Sequence, residues 1–139
     1  MRNNKTFSGF TLIEIMLVVI IIGALAAMVV PRLTGRSEQA KVAVAKSDIA
    51  TTLPTALKLY ELDNGFFPTT SQGLEALFTK PTTSPVPENW NGPYVERKSD
   101  DPWGRPYEYV CPGKNRPDYD LWSHGKDPKK DEDDITNWK

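Results

Sequence analysis

The chain is poor in cysteine and histidine. It holds one cysteine, Cys111, and one histidine, His124. A single cysteine excludes an internal disulfide, and with it a disulfide-closed C-terminal loop; a half-buried structural thiol is expected. The charges nearly cancel, 17 basic against 18 acidic residues for a formal net charge of -1. That balance lacks the basic surplus of a protein that grips a nucleic-acid backbone. A hydrolase built on clustered acids finds no support either: there is no Ser/His/Asp set, no nucleotide loop and no acid pair framed by an evident pocket. Proline is scarce early and dense later, with 11 of the 12 prolines after residue 50. The C-terminal part is therefore turn-rich and cannot rest on a large continuous core.

The apolar residues concentrate at the N-terminus. A short polar start carries Arg2 and Lys5, and the 21 residues from Phe10 to Val30 are then almost wholly apolar. As a helix at 1.5 Å per residue this run extends about 31 Å, enough to cross a bilayer core. Basic residues ahead of it put the N-terminus in the cytoplasm and the remainder across the membrane. Glu14 interrupts the run. A carboxylate at hydrocarbon depth costs about 2.5–3.5 kcal/mol on insertion scales. Two readings follow: Glu14 lies close enough to the helix end to reach the headgroups, or it meets a cation at its own depth. Cleavage between Gly9 and Phe10 would supply that cation as the Phe10 α-amino group. In a stack of identical helices, Glu14 of one copy could then meet the Phe10 amine of the next, a head-to-tail contact that propagates into a filament.

Gly9-Phe10-Thr11-Leu12-Ile13-Glu14 resembles the processing site of type IV prepilin-like proteins. The resemblance implies that a prepilin peptidase cuts after Gly9 and methylates Phe10, and that Glu14 serves assembly as the fifth residue of the mature chain. An ordinary secretory signal cut after Ala24-Leu25-Ala26 is the bland alternative.

Beyond Pro31 the pattern turns amphipathic. Val42, Ala45, Ile49, Leu53, Ala56, Leu57 and Tyr60 recur at spacings of three and four, one face of a helix. That face is expected to pack on a C-terminal domain, a coiled-coil dimer being the alternative. Asn64-Gly65 provides a left-handed stop. Pro54 conflicts with an unbroken ladder and predicts either a wide turn near Thr51–Pro54 or a restart with Pro54 in a first helical turn. Further on, Ser71 to Leu77 reads as a short serine-capped helix. Tyr107–Val110, Tyr119–Trp122 and Ile135–Trp138 read as short strands. Trp90, Trp103, Trp122 and Trp138 are expected to pack core and loops.

Leu62 to Thr70, Gln72 to Leu77, Gly92-Pro93-Tyr94, Asp101-Pro102-Trp103-Gly104 and Asp133-Asp134-Ile135 together resemble the major pseudopilins of the type II secretion system. The resemblance runs along nearly the whole chain. It implies an α+β, type IV pilin-like fold: a long N-terminal helix, membrane half then amphipathic half, packed on a small antiparallel sheet with a C-terminal calcium loop. The expected division is a leader over 1–9, an apolar helix over 10–30, an amphipathic helix over 31–64 and a periplasmic domain over 65–139. The implied role is a non-enzymatic subunit whose homopolymer, the periplasmic pseudopilus, drives folded proteins through the outer membrane. Its implied partners are minor pseudopilins, the inner-membrane assembly platform, prepilin peptidase and, before assembly, membrane lipid. No nucleic acid is expected. A type IV surface pilus, or a membrane-anchored calcium-dependent binding module, are the alternatives.

The loop Asp127 to Asp134 carries five acids and two lysines. Mutual repulsion would keep it loose, and a hard divalent cation would reverse that, since calcium takes about six to eight oxygens. The spacing is not that of an EF-hand. The family resemblance implies calcium held by the side chains of Asp127, Asp133 and Asp134, with Asp131 as a substitute. Backbone carbonyls near Leu121, Ser123 and His124 would complete the shell. The ring of His124 is expected to play no part in it.

Overall fold

A computed structural model describes residues 9–129 and 132–139, the side chains of residues 31–34 aside. Arg2, Lys5 and Asp131 lie outside the described residues. Two compact units divide at Glu38 and Gln39.

Helix α1 spans Leu12–Ser47. Its apolar first half is open on all sides: Leu12, Ile13 and Met28 are 81%, 75% and 72% exposed. Apolar residues all round a helix want a non-aqueous neighbour, whether lipid or other helices. By length and composition it is long and apolar enough to cross a membrane.

The second unit is organised by the other end of the helix. A π-helical turn, Asp48–Thr52, separates α1 from α2, Leu53–Asn64. In this wide turn the Leu53 N–H bonds to the carbonyl of Asp48, five residues back. The widening accommodates Pro54, whose ring in a regular ladder would meet the carbonyl four residues earlier. Pro54 then stands in the first turn of α2, where a missing N–H is harmless. Both expectations for this proline hold together. The Thr55 hydroxyl takes up the Thr51 carbonyl at 2.7 Å. Helix α2 stops at Gly65, whose φ of +82° is left-handed.

Across the π turn one face stays apolar. Ala45, Ile49, Leu53, Ala56, Leu57 and Tyr60 are all buried. They share a core with Leu77, Tyr107, Tyr109, Tyr119 and Leu121. Three short strands supply the sheet: β1 Glu108–Val110, β2 Asp120–Ser123 and β3 Ile135–Thr136. They pair antiparallel in sequence order, with Tyr109 opposite Leu121 and Ser123 opposite Ile135. The observed strands are shorter than the sequence expects or are shifted by one residue.

Aromatic groups fix the irregular segments between these elements. Phe67 meets Tyr119 edge-on at 5.1 Å, Trp122 meets Trp138 at 5.8 Å, and Trp90 Nε1 donates to the Ala76 carbonyl at 2.9 Å. Cys111 is half-buried as expected, with Sγ on the Asp118 carbonyl. The serine-capped helix needs correction. Only Leu74–Leu77 is helical, as a 3-10 turn led by Gly73 with no side-chain cap. The N–H groups of Gln72 and Gly73 both go to the Thr69 carbonyl, which holds the preceding residues in a tight turn. Ser71 bonds the Thr69 hydroxyl instead.

Candidate functional site

Three places carry the residues singled out in the sequence. The first is the start of α1. Phe10 is 80% exposed. Thr11 and Glu14 satisfy each other: the Thr11 N–H donates to Glu14 Oε2 at 3.4 Å, and the Glu14 N–H donates to Thr11 Oγ1 at 3.3 Å. This reciprocal pair is a capping box. Threonine followed three residues later by glutamate, ahead of an apolar run, is its signal in the sequence, one that the processing-site resemblance of the same residues overshadows. The cap explains where the helix begins, and it directs the carboxylate toward the N-terminal end. Among the described residues no basic side chain forms an ion pair with Glu14.

The second place is the C-terminal loop. Its neck is closed by the β2–β3 pairing of Ser123 with Ile135. Gly125 has φ +69°, and a Cβ there would come within 3.9 Å of the Asp133 carbonyl. The loop's two ends therefore lie side by side. Asp134 is buried, and its Oδ1 is 3.2 Å from His124 Nδ1. Asp127 is exposed, and its Oδ1 accepts the Lys129 N–H at 3.1 Å. Among the described residues no three His, Cys, Asp or Glu side chains stand close enough to share one ion. The donor chemistry nonetheless suits a hard divalent cation: carboxylates at both ends of one loop, with the neck bringing those ends together.

The third place borders the second. Asp101 is buried in the Asp101–Arg105 turn. Its Oδ1 accepts the Trp103 and Arg105 N–H groups at 3.0 and 2.9 Å. Its Oδ2 accepts the Ser123 hydroxyl at 2.7 Å. Ser123 Oγ in turn accepts the Gly125 N–H at 3.1 Å, and the Arg105 guanidinium donates to the Gly125 carbonyl. The spacing of these residues carries no pattern from which the sequence could have revealed the arrangement.

The type II secretion system (T2SS) protein G profile matches residues 32–138, and the prokaryotic N-terminal methylation motif matches residues 4–30. The chain belongs to the type II secretion system protein G family. It is 54% identical over 136 residues to the type II secretion system core protein G of Pseudomonas aeruginosa, covering 94% of each chain. With the protein of the same name from Escherichia coli K12 it shares 49% identity over 140 residues, 99% of this chain and 95% of the other. Its fold is similar to the crystal structure of the major pseudopilin from the type 2 secretion system of enterohaemorrhagic Escherichia coli. The TM-score is 0.66 at 40% identity, over 76% of this chain and 89% of that one. The pilin-like fold expected from the sequence is thereby borne out.

Proposed function

We propose that the chain works as the structural subunit of a type II secretion pseudopilus, polymerising through its apolar N-terminal helix. The observation that carries this reading is Glu14, a carboxylate near the start of a helix whose apolar surface is open on every side. In the proposed sequence of events prepilin peptidase cuts between Gly9 and Phe10 and methylates Phe10. The bond cleaved is an amide, so the Phe10 nitrogen becomes an amine that is protonated near neutral pH. Glu14 of one copy pairs with that ammonium on the next. In a low-dielectric bundle an acid and a cation each lacking a partner are costly, and one contact between them offsets part of both penalties. Before assembly the helix anchors the chain in the inner membrane, with residues 65–139 in the periplasm. The assembly platform and minor pseudopilins are the remaining partners, and no residue is assigned a catalytic role.

In this proposal calcium orders the loop between Gly125 and Ile135. Asp127, Asp133 and Asp134 would hold it, with carbonyls from Leu121, Ser123 and His124, and Asp131 is a further candidate. The ion would neutralise repelling carboxylates and tie the two ends of the loop together. Asp134 would exchange its His124 partner for the ion.

The processing step is tested by the intact mass of the protein purified from cells carrying the secretion system. The expected chain begins at Phe10 and carries one methyl group. A chain beginning after Ala26, 17 residues shorter, contradicts the proposal.

A further inference from the structure

The side chains of Asp101 and Ser123, and the side chain and backbone N–H of Arg105, form a closed circuit with Gly125. From the Asp101 carboxylate the path runs to the Ser123 hydroxyl, to the Gly125 N–H, through its carbonyl to the Arg105 guanidinium, and back through the Arg105 N–H to Asp101. Each member meets two others, and the buried Asp101 carboxylate holds two of them, the Ser123 hydroxyl and the Arg105 backbone N–H. The circuit contains one acid and one guanidinium and is electrically neutral within itself. It grips both the N–H and the C=O of Gly125, the residue whose left-handed backbone turns the chain from β2 into the acidic loop. Two residues later comes Asp127.

We infer that Asp101 and Arg105 are positioning residues for cation binding in the 127–134 loop, an inference that rests on the calcium reading above. They contribute no oxygen to the ion. They fix the peptide from which the ion-binding loop departs, and with it the directions of the carbonyls over 123–125. The physical reason is pre-organisation: a loop whose start is already held loses less freedom when an ion closes it. Groups that orient a metal's ligands typically change metal affinity by about 10- to 100-fold when removed. Arg105 offers the cleaner test. It is only half-buried and belongs to no core cluster, whereas Asp101 and Ser123 are buried.

The experiment compares full-length wild type, Arg105→Met and Arg105→Lys in detergent micelles. Calcium is titrated calorimetrically, and thermal unfolding is followed in EDTA and in calcium. Methionine keeps the length of the stem and removes the donors; lysine keeps a cationic donor. The expected result is calcium affinity at least about tenfold weaker in Arg105→Met, partial recovery in Arg105→Lys, and metal-free midpoints close to wild type for both. Equal affinity in Arg105→Met and wild type overturns the inference, as does equal affinity in the methionine and lysine variants. A large fall of the metal-free midpoint in Arg105→Met with calcium affinity retained assigns Arg105 a structural role only, and also overturns it. If wild type itself takes up no calcium, the underlying calcium reading fails first, which the wild-type titration shows separately.

Discussion

The Tyr107 hydroxyl donates to the Asp48 carboxylate at 2.8 Å, joining two residues 59 positions apart in the chain. Asp48 opens the π turn, and Tyr107 immediately precedes β1, so this bond ties the widened turn of the helix to the sheet.

Burial first, and then Asp48, push the Tyr107 phenol well above its ordinary value. Tyr60, Tyr94, Tyr109 and Tyr119 are also raised, each chiefly by burial. A phenol that ionises with more difficulty in the folded chain stabilises the fold fully below the unfolded value of about 10 and loses that contribution as pH climbs above it. Spectrophotometric titration should therefore show phenolate appearing together with unfolding, above pH about 10. Tyr107→Phe should lower stability at neutral pH by about 1.5 kcal/mol, the usual scale for a hydrogen bond to a charged acceptor. It should also make unfolding less steep in base. Phenols that titrate near their ordinary value in a still-folded chain contradict the account.

Asp120 governs the acid side. Burial opposes its ionisation, but the N–H groups of Asn115, Lys114 and Arg116 and the Asn115 amide outweigh that and hold it below the usual carboxylate range. Asp118 is shifted the same way: burial opposes, and hydrogen bonds led by Arg116 prevail. A Cβ at Gly113 would collide with the Arg116 carbonyl and the Asp120 carboxylate, so only glycine fits this close approach. A depressed carboxylate stabilises the fold above its ordinary range, and that contribution is lost as pH falls below it. Asp120→Asn should cost about 2–3 kcal/mol at neutral pH, and chemical denaturation measured down into the acid range should show a shallower loss than in wild type. An unchanged midpoint in the variant contradicts this.

The π turn makes a prediction about chain length. A regular helix rotates about 100° per residue, so a deletion normally turns every later side chain off its face. Deleting Thr52, an exposed residue of the π turn, should instead let the turn close toward regular helix with the apolar face in register. Pro54 would then clash with the ladder at a cost of about 3 kcal/mol. The deletion alone should be destabilised by that order, and adding Pro54→Ala should restore most of the loss. Thermal melts of the two variants decide it: a double variant no better than the deletion refutes the explanation of the wide turn.

How far the sequence discloses this molecule depends on the range of the interaction. The helix faces, the left-handed stop at Gly65 and the conflict at Pro54 are local, because spacing and backbone chemistry over a few residues determine them. The Thr11–Glu14 cap was equally local and could have been read. The serine cap failed because the Thr69 carbonyl captured the neighbouring N–H groups first. The Asp48–Tyr107 bond and the Asp101–Ser123 link, 22 residues apart, depend on tertiary placement that no local pattern encodes. The proposed calcium side chains were readable only through likeness to a family, since their spacing follows no general cation motif.

The central claim is that the charge of Glu14, more than its capping role, assembles the filament. Glu14→Gln separates the two, because glutamine also completes a capping box while carrying no charge. Electron microscopy of cells expressing the secretion system with this variant, alongside the intact mass of the subunit, is the direct measurement. The account predicts a subunit that is cut after Gly9 and folded yet yields few or no filaments; filaments as abundant as those of wild type would contradict it.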